Sequence, residues 1–224
     1  ANTNVKIVGV SGGVSYGALG STHHSLHDIA FMRAIPNLAV LLPCDNTQTR
    51  EITRFLAGHV GPAYMRIGRT PVPDVYANPA GCFTFGKAGQ LRQGADCTII
   101  AAGETVFHAL AAADALAKTG IHVRLLDMPT IKPLDDQAVI AAARETGAVV
   151  TVEEHGIHGG LGASVAEVIV QNHPVPMRMI AFPDEFVPAG SSAELFAHYG
   201  ITGAAIAETV RTFLAELDDH RGLD

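Results

Sequence analysis

Apolar positions along the chain follow two alternating rhythms. Short continuous runs such as VKIVGV, CTIIAAG and AVVTVEE have strand length, and between them apolar residues recur at helical spacing. The first stretch reads as strand Val5–Val10, helix Leu26–Ile35, strand Leu38–Leu42, helix Gln48–Gly58 and strand Ala63–Ile67. Strands alternating with helices predict parallel sheet with right-handed crossovers, so the fold class is α/β. Proline-rich Thr70–Gly81 has no apolar period and reads as a linker. Beyond it a short hairpin is expected around Lys87–Arg92. Strands at 97–103, 122–129, 148–154 and 177–183 then alternate with helices at 104–118, 135–146 and 163–171. Helices at 192–198 and 204–217 close the chain. The second stretch therefore predicts a doubly wound unit, with Gly120 and Gly147 as helix-ending glycines. The first unit is thin, and little sequence precedes its first strand. Either another chain completes its sheet or the native protein has more sequence there.

The candidate chemistry lies where the rhythm stops, in the glycine-rich segment between Val10 and the first helix. Ser25 is a candidate N-cap, with Asp28 approximating a capping box. His23 and His24 then fall at the mouth of a long loop, just outside a helix N-terminus. The positive helix end disfavours imidazolium, so His23 is expected to be a neutral hydrogen-bonding group that can orient a carbonyl or steady an oxyanion. The alternative is a simple cap or surface residue. His23 and His27 also have the spacing of a metal pair, without an evident third ligand.

The formal charge of −7 argues against nucleic acid or an anionic membrane as partner. No apolar run has membrane-spanning length, and no signal peptide is evident. Three scattered cysteines, Cys44, Cys82 and Cys97, read as reduced thiols in a cytoplasmic protein. A start at Ala1 suggests a processed or truncated chain.

Two further patterns carry candidate chemistry. The run from Glu153 to Gly162, EEHGIHGGLG, places glycines between a strand and a helix, with Asp184 ending the next strand. That suggests a dinucleotide site and a nucleotide-binding oxidoreductase. The glycine order is not GxGxxG, however, and Glu153 and Glu154 would lie beside the pyrophosphate. Arg69 ends the strand of GPAYMRIGR, where α/β sites form, and suits an anionic group; its alternative is a surface ion pair. Arg66 reads as structural.

The run GGVSYGALGSTHHSLHDIAFMRAIPNLAVLLPCD, continued by GPAYMRIGR and by the residues from Phe83 onward, resembles the transketolase family, particularly the smaller chain of split transketolases. The resemblance covers the whole chain. It implies part of a pyrimidine-binding (thiamine diphosphate fold) domain at 1–70 lacking its N-terminal portion, the linker at 71–81, and a transketolase C-terminal-like domain at 82–224. It implies transfer of a two-carbon ketol unit between sugars or sugar phosphates, with thiamine diphosphate as electron sink and Mg²⁺. On the resemblance, His23 is the catalytic residue and Arg69 contacts substrate, with Ser11, Leu19 and His24 beside it. Three of these depart from the family pattern. Leu19 stands where an Asp is usual, Ser11 where a His is usual, and His24 where a Gln is common. The glutamate and aromatics that hold the aminopyrimidine, and the Gly-Asp-Gly…Asn signature of the diphosphate-binding domain, are not in this sequence. Cofactor and metal are thus expected from a second chain or a missing portion, within a homo-oligomer of the assembly, and neither is expected to bind this chain alone. Deoxyxylulose-phosphate synthases and 2-oxoacid dehydrogenase beta chains share the layout; Tyr16 and the THHS ending favour transketolase. A non-catalytic dimerisation module is the remaining alternative.

Overall fold

A computed structural model describes residues 2–69 and 71–221. The first sheet contains β1 (Lys6–Val10), β2 (Ala39–Leu41) and β3 (Ala63–Ile67), linked by α1 (Asp28–Ala34) and α2 (Asn46–Gly58). The second contains β4 (Gly89–Arg92), β5 (Thr98–Ala101), β6 (Arg124–Asp127), β8 (Val149–Gly156) and β9 (Met177–Phe182). Its helices are α3 (Thr105–Ala117), α4 (Asp136–Thr146), α5 (Leu161–Asn172), α6 (Ser192–His198) and α7 (Gly203–Arg221). Both sheets have the parallel core that the alternating pattern predicts, and each ends on one antiparallel strand.

Those two edge strands are where the sequence reading needs correction. No hairpin forms around Lys87–Arg92; β4 pairs antiparallel with distant β6 instead. The strand expected at 122–129 stops at Asp127, and the chain then makes a separate strand, β7 (Thr130–Lys132). β7 crosses to the first sheet and pairs antiparallel with β2, giving the order β1-β3-β2-β7. Lys132 Nζ also donates to the carbonyls of Arg33 (2.7 Å) and Ile35 (2.6 Å), satisfying orphan acceptors at the end of α1. The second half of the chain thus supplies one edge strand of the first sheet, while the opposite edge, β1, leaves Ile7, Val8 and Val10 exposed.

The cores are shared accordingly. Ile29, Val40 and Tyr64 pack in one buried cluster with Ile100, Met128 and Leu161. Residues 71–81, expected as a linker, form no regular element but are held down; Thr70, its expected first residue, lies outside the described residues. Asp45 caps α2 by accepting from Gln48 N (2.7 Å), and its other oxygen accepts from Val75 N and Tyr76 N (both 2.8 Å). Asp127 Oδ2, at the end of β6, accepts from Gln48 Nε2 (2.6 Å) and Tyr76 Oη (2.9 Å). One buried carboxyl therefore ties α2, the strap and the second sheet together. Cys44, Cys82 and Cys97 are buried free thiols. No helix among the described residues is long and apolar enough to cross a membrane.

Burial pushes the Asp127 carboxyl up to about 7 against its hydrogen-bond donors, and its Oδ1 has no partner. A proton on Oδ1 removes a buried charge while Oδ2 keeps accepting. An unfolded aspartate titrates near ~4, so the folded state holds the extra proton between the two values. The stability this group contributes is full at the acid end and is lost as pH rises through about 7. Asp127→Asn, which keeps the acceptor, is expected to flatten the fall in urea midpoint between pH ~4 and ~7, where one proton accounts for at most about 1.4 kcal/mol per pH unit. Unchanged slopes in the two proteins would refute this assignment.

Candidate functional site

The glycine-rich loop does not lead straight into α1. Ser25, expected as N-cap, instead exchanges backbone hydrogen bonds with Gly13 (3.0 and 2.8 Å). The residue before the helix is His27, which makes no side-chain cap. His23 lies in a turn more than one helical turn upstream of Asp28, so the helix-end argument about its charge does not apply. Residues 23–27 are not helical either, which removes the basis for pairing His23 with His27. Asp28 is also not a capping acid: it is buried, accepts from Tyr64 Oη (2.6 Å) and faces Arg66 Nη1 at 3.5 Å.

Arg66 sits at the centre of the seam between the two units. It projects from β3, is 5% exposed, and donates to the Glu154 carbonyl (2.6 Å) and to Glu154 Oε2 (3.3 Å). Glu154 Oε1 in turn accepts from Val14 N (2.7 Å) in the loop. Gly13, at φ 62°, is what lets the loop lie so close: a Cβ there would stand 2.1 Å from Glu154 Cδ. A second acid, Glu104, lies against Gly68, where a Cβ would fall 1.1 Å from its Oε1. Arg66, Glu104, Glu154 and Gly68 line a cavity of about 20 Å³, room for one water. Burial pushes both glutamates up, with Arg66 pulling the other way. His155 is buried beside them, with Nδ1 2.7 Å from the Gly156 carbonyl and Nε2 accepting from Ala30 N at 3.4 Å. Burial holds that imidazole neutral.

The EEHGIHGGLG run is part of this seam. Glu153 accepts from Leu161 N (2.6 Å) and Gly162 N (2.8 Å), filling the N-terminus of α5 with a protein carboxylate. A pyrophosphate would meet that carboxylate, so the dinucleotide reading loses its anion site. Asp184 is exposed and faces His158 Nε2 at 3.9 Å.

Of the candidate residues, the structure gathers three at the C-terminal ends of β1 and β3 and over the adjacent turn. Ser11 follows β1 directly, in a left-handed conformation at φ 63°. Arg69 follows β3, is exposed, and lines a cleft of about 240 Å³ with Asp45, Asn46, Thr49 and Glu104. No ion pair holds it among the described residues. Its guanidinium instead lies 4.1 Å above the ring of Tyr16. The Tyr16 ring also meets the edge of His23, centroids 5.6 Å apart and planes at 82°. His23 Nδ1 lies 3.0 Å from Thr22 Oγ1, leaving Nε2 without a partner among the described residues. His24 turns the other way, toward the Gly17 carbonyl at 3.4 Å. Leu19 is 49% exposed on the neighbouring 3-10 turn. Tyr16, Glu104 and Glu154 had no assigned place in such a site on sequence grounds; the tyrosine inside a glycine-rich loop was the one available signal.

Comparison with known proteins places the chain by family and fold. Residues 1–74 match the family pattern "Transketolase, pyrimidine binding domain" and residues 86–206 match "Transketolase, C-terminal domain". The chain is 53% identical over 214 residues to one of the subunits of an apulose-4-phosphate transketolase from Phocaeicola vulgatus, covering 96% of this chain and 68% of that protein. It is 40% identical over 206 residues to the "6-deoxy-6-sulfo-D-fructose transketolase subunit SqwH" of Clostridium sp., covering 92% of this chain and 64% of that protein. A solved structure titled "Split gene transketolase, inactive beta4 tetramer" superposes with a TM-score of 0.87 at 39% identity, over 96% of this chain and 68% of that one. The chain belongs to the transketolase family. It spans about two thirds of the length of these relatives.

The two arginines should separate cleanly in a stability measurement. Arg66→Met leaves Asp28 and Glu154 buried without their cation and is expected to cost about 3–5 kcal/mol. Arg69→Met, which loses only a contact with an aromatic face, should cost less than ~1 kcal/mol. Chemical denaturation decides it, and equal losses would overturn the distinction.

Proposed function

We propose that this chain is the C-terminal part of a thiamine diphosphate-dependent transketolase, carrying residues 1–70 of a pyrimidine-binding unit, a strap at 71–81 and a C-terminal unit at 82–224. It works with a partner chain that carries the diphosphate-binding half, within a homo-oligomer of that assembly. The observation that carries this reading is the convergence of His23 and Arg69 on the Tyr16 ring, beside the ends of the parallel strands β1 and β3 where α/β sites form. The names of the relatives, two of them transketolase subunits, support ketol transfer from a sugar or sugar phosphate.

The residues described do not fit the cofactor's metal end. No three His, Cys, Asp or Glu side chains among them are grouped to hold a metal ion. The buried acids beside the loop are already engaged with Arg66 or with backbone N–H groups. What this chain supplies is binding and polarisation. His23 offers Nε2 to substrate oxygens as charge develops on them, with Nδ1 engaged by Thr22. Arg69 anchors the anionic end of the substrate in the cleft at the end of β3.

Reconstitution tests the reading: ketol transfer should appear only when the chain is mixed with its diphosphate-binding partner. Calorimetry on the chain alone with Mg²⁺ and thiamine diphosphate should show no micromolar binding, and tight binding or turnover by the chain alone would refute the division of labour. In the complex, His23→Ala should lower kcat by the equivalent of about 2–4 kcal/mol without unfolding the protein, while His24→Gln is tolerated.

Specificity follows from Leu19 and Ser11. Leucine offers no acceptor to a substrate hydroxyl, and serine carries no positive charge, so xylulose 5-phosphate should be a poor donor. Leu19→Asp with Ser11→His is expected to raise kcat/KM for it at the native donor's expense. The left-handed position of Ser11 is one that histidine tolerates. Efficient use of xylulose 5-phosphate by the wild type, unchanged in the double variant, would refute the prediction.

A further inference from the structure

Arg69 is an unusual cation. It shares its cleft with Asp45 and Glu104, yet among the described residues it pairs with neither. Asp45 is spent on backbone N–H groups of α2 and the strap, and Glu104 is folded over Gly68 beside Arg66. What supports Arg69 is the face of Tyr16, 4.1 Å from the guanidinium carbon. The difference matters chemically. A carboxylate partner would neutralise the guanidinium and occupy its N–H fork. An aromatic face steadies the plane by its quadrupole and leaves both the charge and the in-plane donors available.

Tyr16 can do this because its backbone is fixed on both sides by the second unit. Val14 N donates to Glu154 Oε1 (2.7 Å), and the Val14 carbonyl accepts from Ser192 Oγ (3.0 Å). On the other side Gly190 N donates to the Gly17 carbonyl (3.1 Å). The same ring meets His23 at 5.6 Å, so one side chain sets the spacing between the two groups assigned to opposite ends of the substrate.

We propose that Tyr16 is a positioning residue for substrate selection. Its ring holds the Arg69 guanidinium unneutralised beside the loop mouth, at a fixed offset from His23, so that the site selects donors with an anionic end. This rests on the reading of His23 and Arg69 given above.

The test compares Tyr16→Leu, Tyr16→Phe and Arg69→Ala in the complex with the partner chain, using a phosphorylated donor and its dephosphorylated counterpart. Tyr16→Leu should raise KM for the phosphorylated donor about 3- to 5-fold, the range of an exposed cation–aromatic contact, with kcat little changed. KM for the uncharged donor should not move, and Tyr16→Phe, which keeps the ring, should match wild type. On the chain alone, the Arg69 side-chain N–H resonance should carry a ring-current shift in wild type and Tyr16→Phe and lose it in Tyr16→Leu. A shift retained in Tyr16→Leu, an equal KM rise for both donors, or loss in Tyr16→Phe would each overturn the proposal. Arg69→Ala separates the two levels of the argument. A raised KM there with a silent Tyr16→Leu removes the positioning role alone, and an unchanged KM removes the anchor reading and the proposal with it.

Discussion

The guanidinium of Arg66 is the charge around which the two units meet. It is the cation that faces both Asp28 on α1 and Glu154 on β8, and all three groups are buried. Desolvating such a set is costly, and it holds together only because each acid has further donors: Tyr64 for Asp28, the loop amide of Val14 for Glu154. The amide of Val14 belongs to the loop that carries the candidate chemistry. The geometry at the loop mouth is therefore inherited from a buried ion cluster, and the cluster draws its groups from both halves of the chain.

This arrangement explains why the site has a rigid floor under an open rim. Glu154, Ser192 and Gly190, all from the second unit, fix the loop backbone at Val14 and Gly17. The groups facing outward, His23, Leu19 and Arg69, are exposed and lightly held. Arg69 keeps its N–H donors free of ion pairs among the described residues, whereas Ser192 and Gly190 donate to loop carbonyls and Glu154 accepts from a loop amide.

The periodicity of the chain was enough to read the parallel sheets, the helix order and the place of the loop, because those depend on local apolar spacing. Ala63–Ile67 and Ser192–His198 were legible to the residue. What escaped was nonlocal. Lys87–Arg92 reads as a short hairpin, but it forms one strand, β4, whose partner β6 lies some thirty residues on. Ser25 and Asp28 read as a cap because nothing nearby in sequence announces Tyr64 and Arg66 as their competitors for Asp28. The glycine-rich loop stood out only as a break in the rhythm; that Gly13 is there for the close approach of Glu154 is visible only in the fold. Position in the chain marked His23 and Arg69 as candidates and the family likeness gave them roles; that an aromatic ring joins them required coordinates.

The strand loan made by β7 has a consequence for how such proteins can be divided. Two family patterns describe this chain, with a border between residues 74 and 86. The material object has no such border, because the first sheet takes its edge strand β7, ending at Lys132, from well inside the second pattern. A chimera joined at the strap would take β2 from one parent and its neighbour β7 from the other. Moving the junction past Lys132 would instead divide β5 and β6 from β8. No crossover point between β1 and β9 leaves both sheets with a single parent. Recombination between relatives should then succeed only where the β2–β7 contact has stayed compatible, and the two named domains should be inherited, and exchanged, as one.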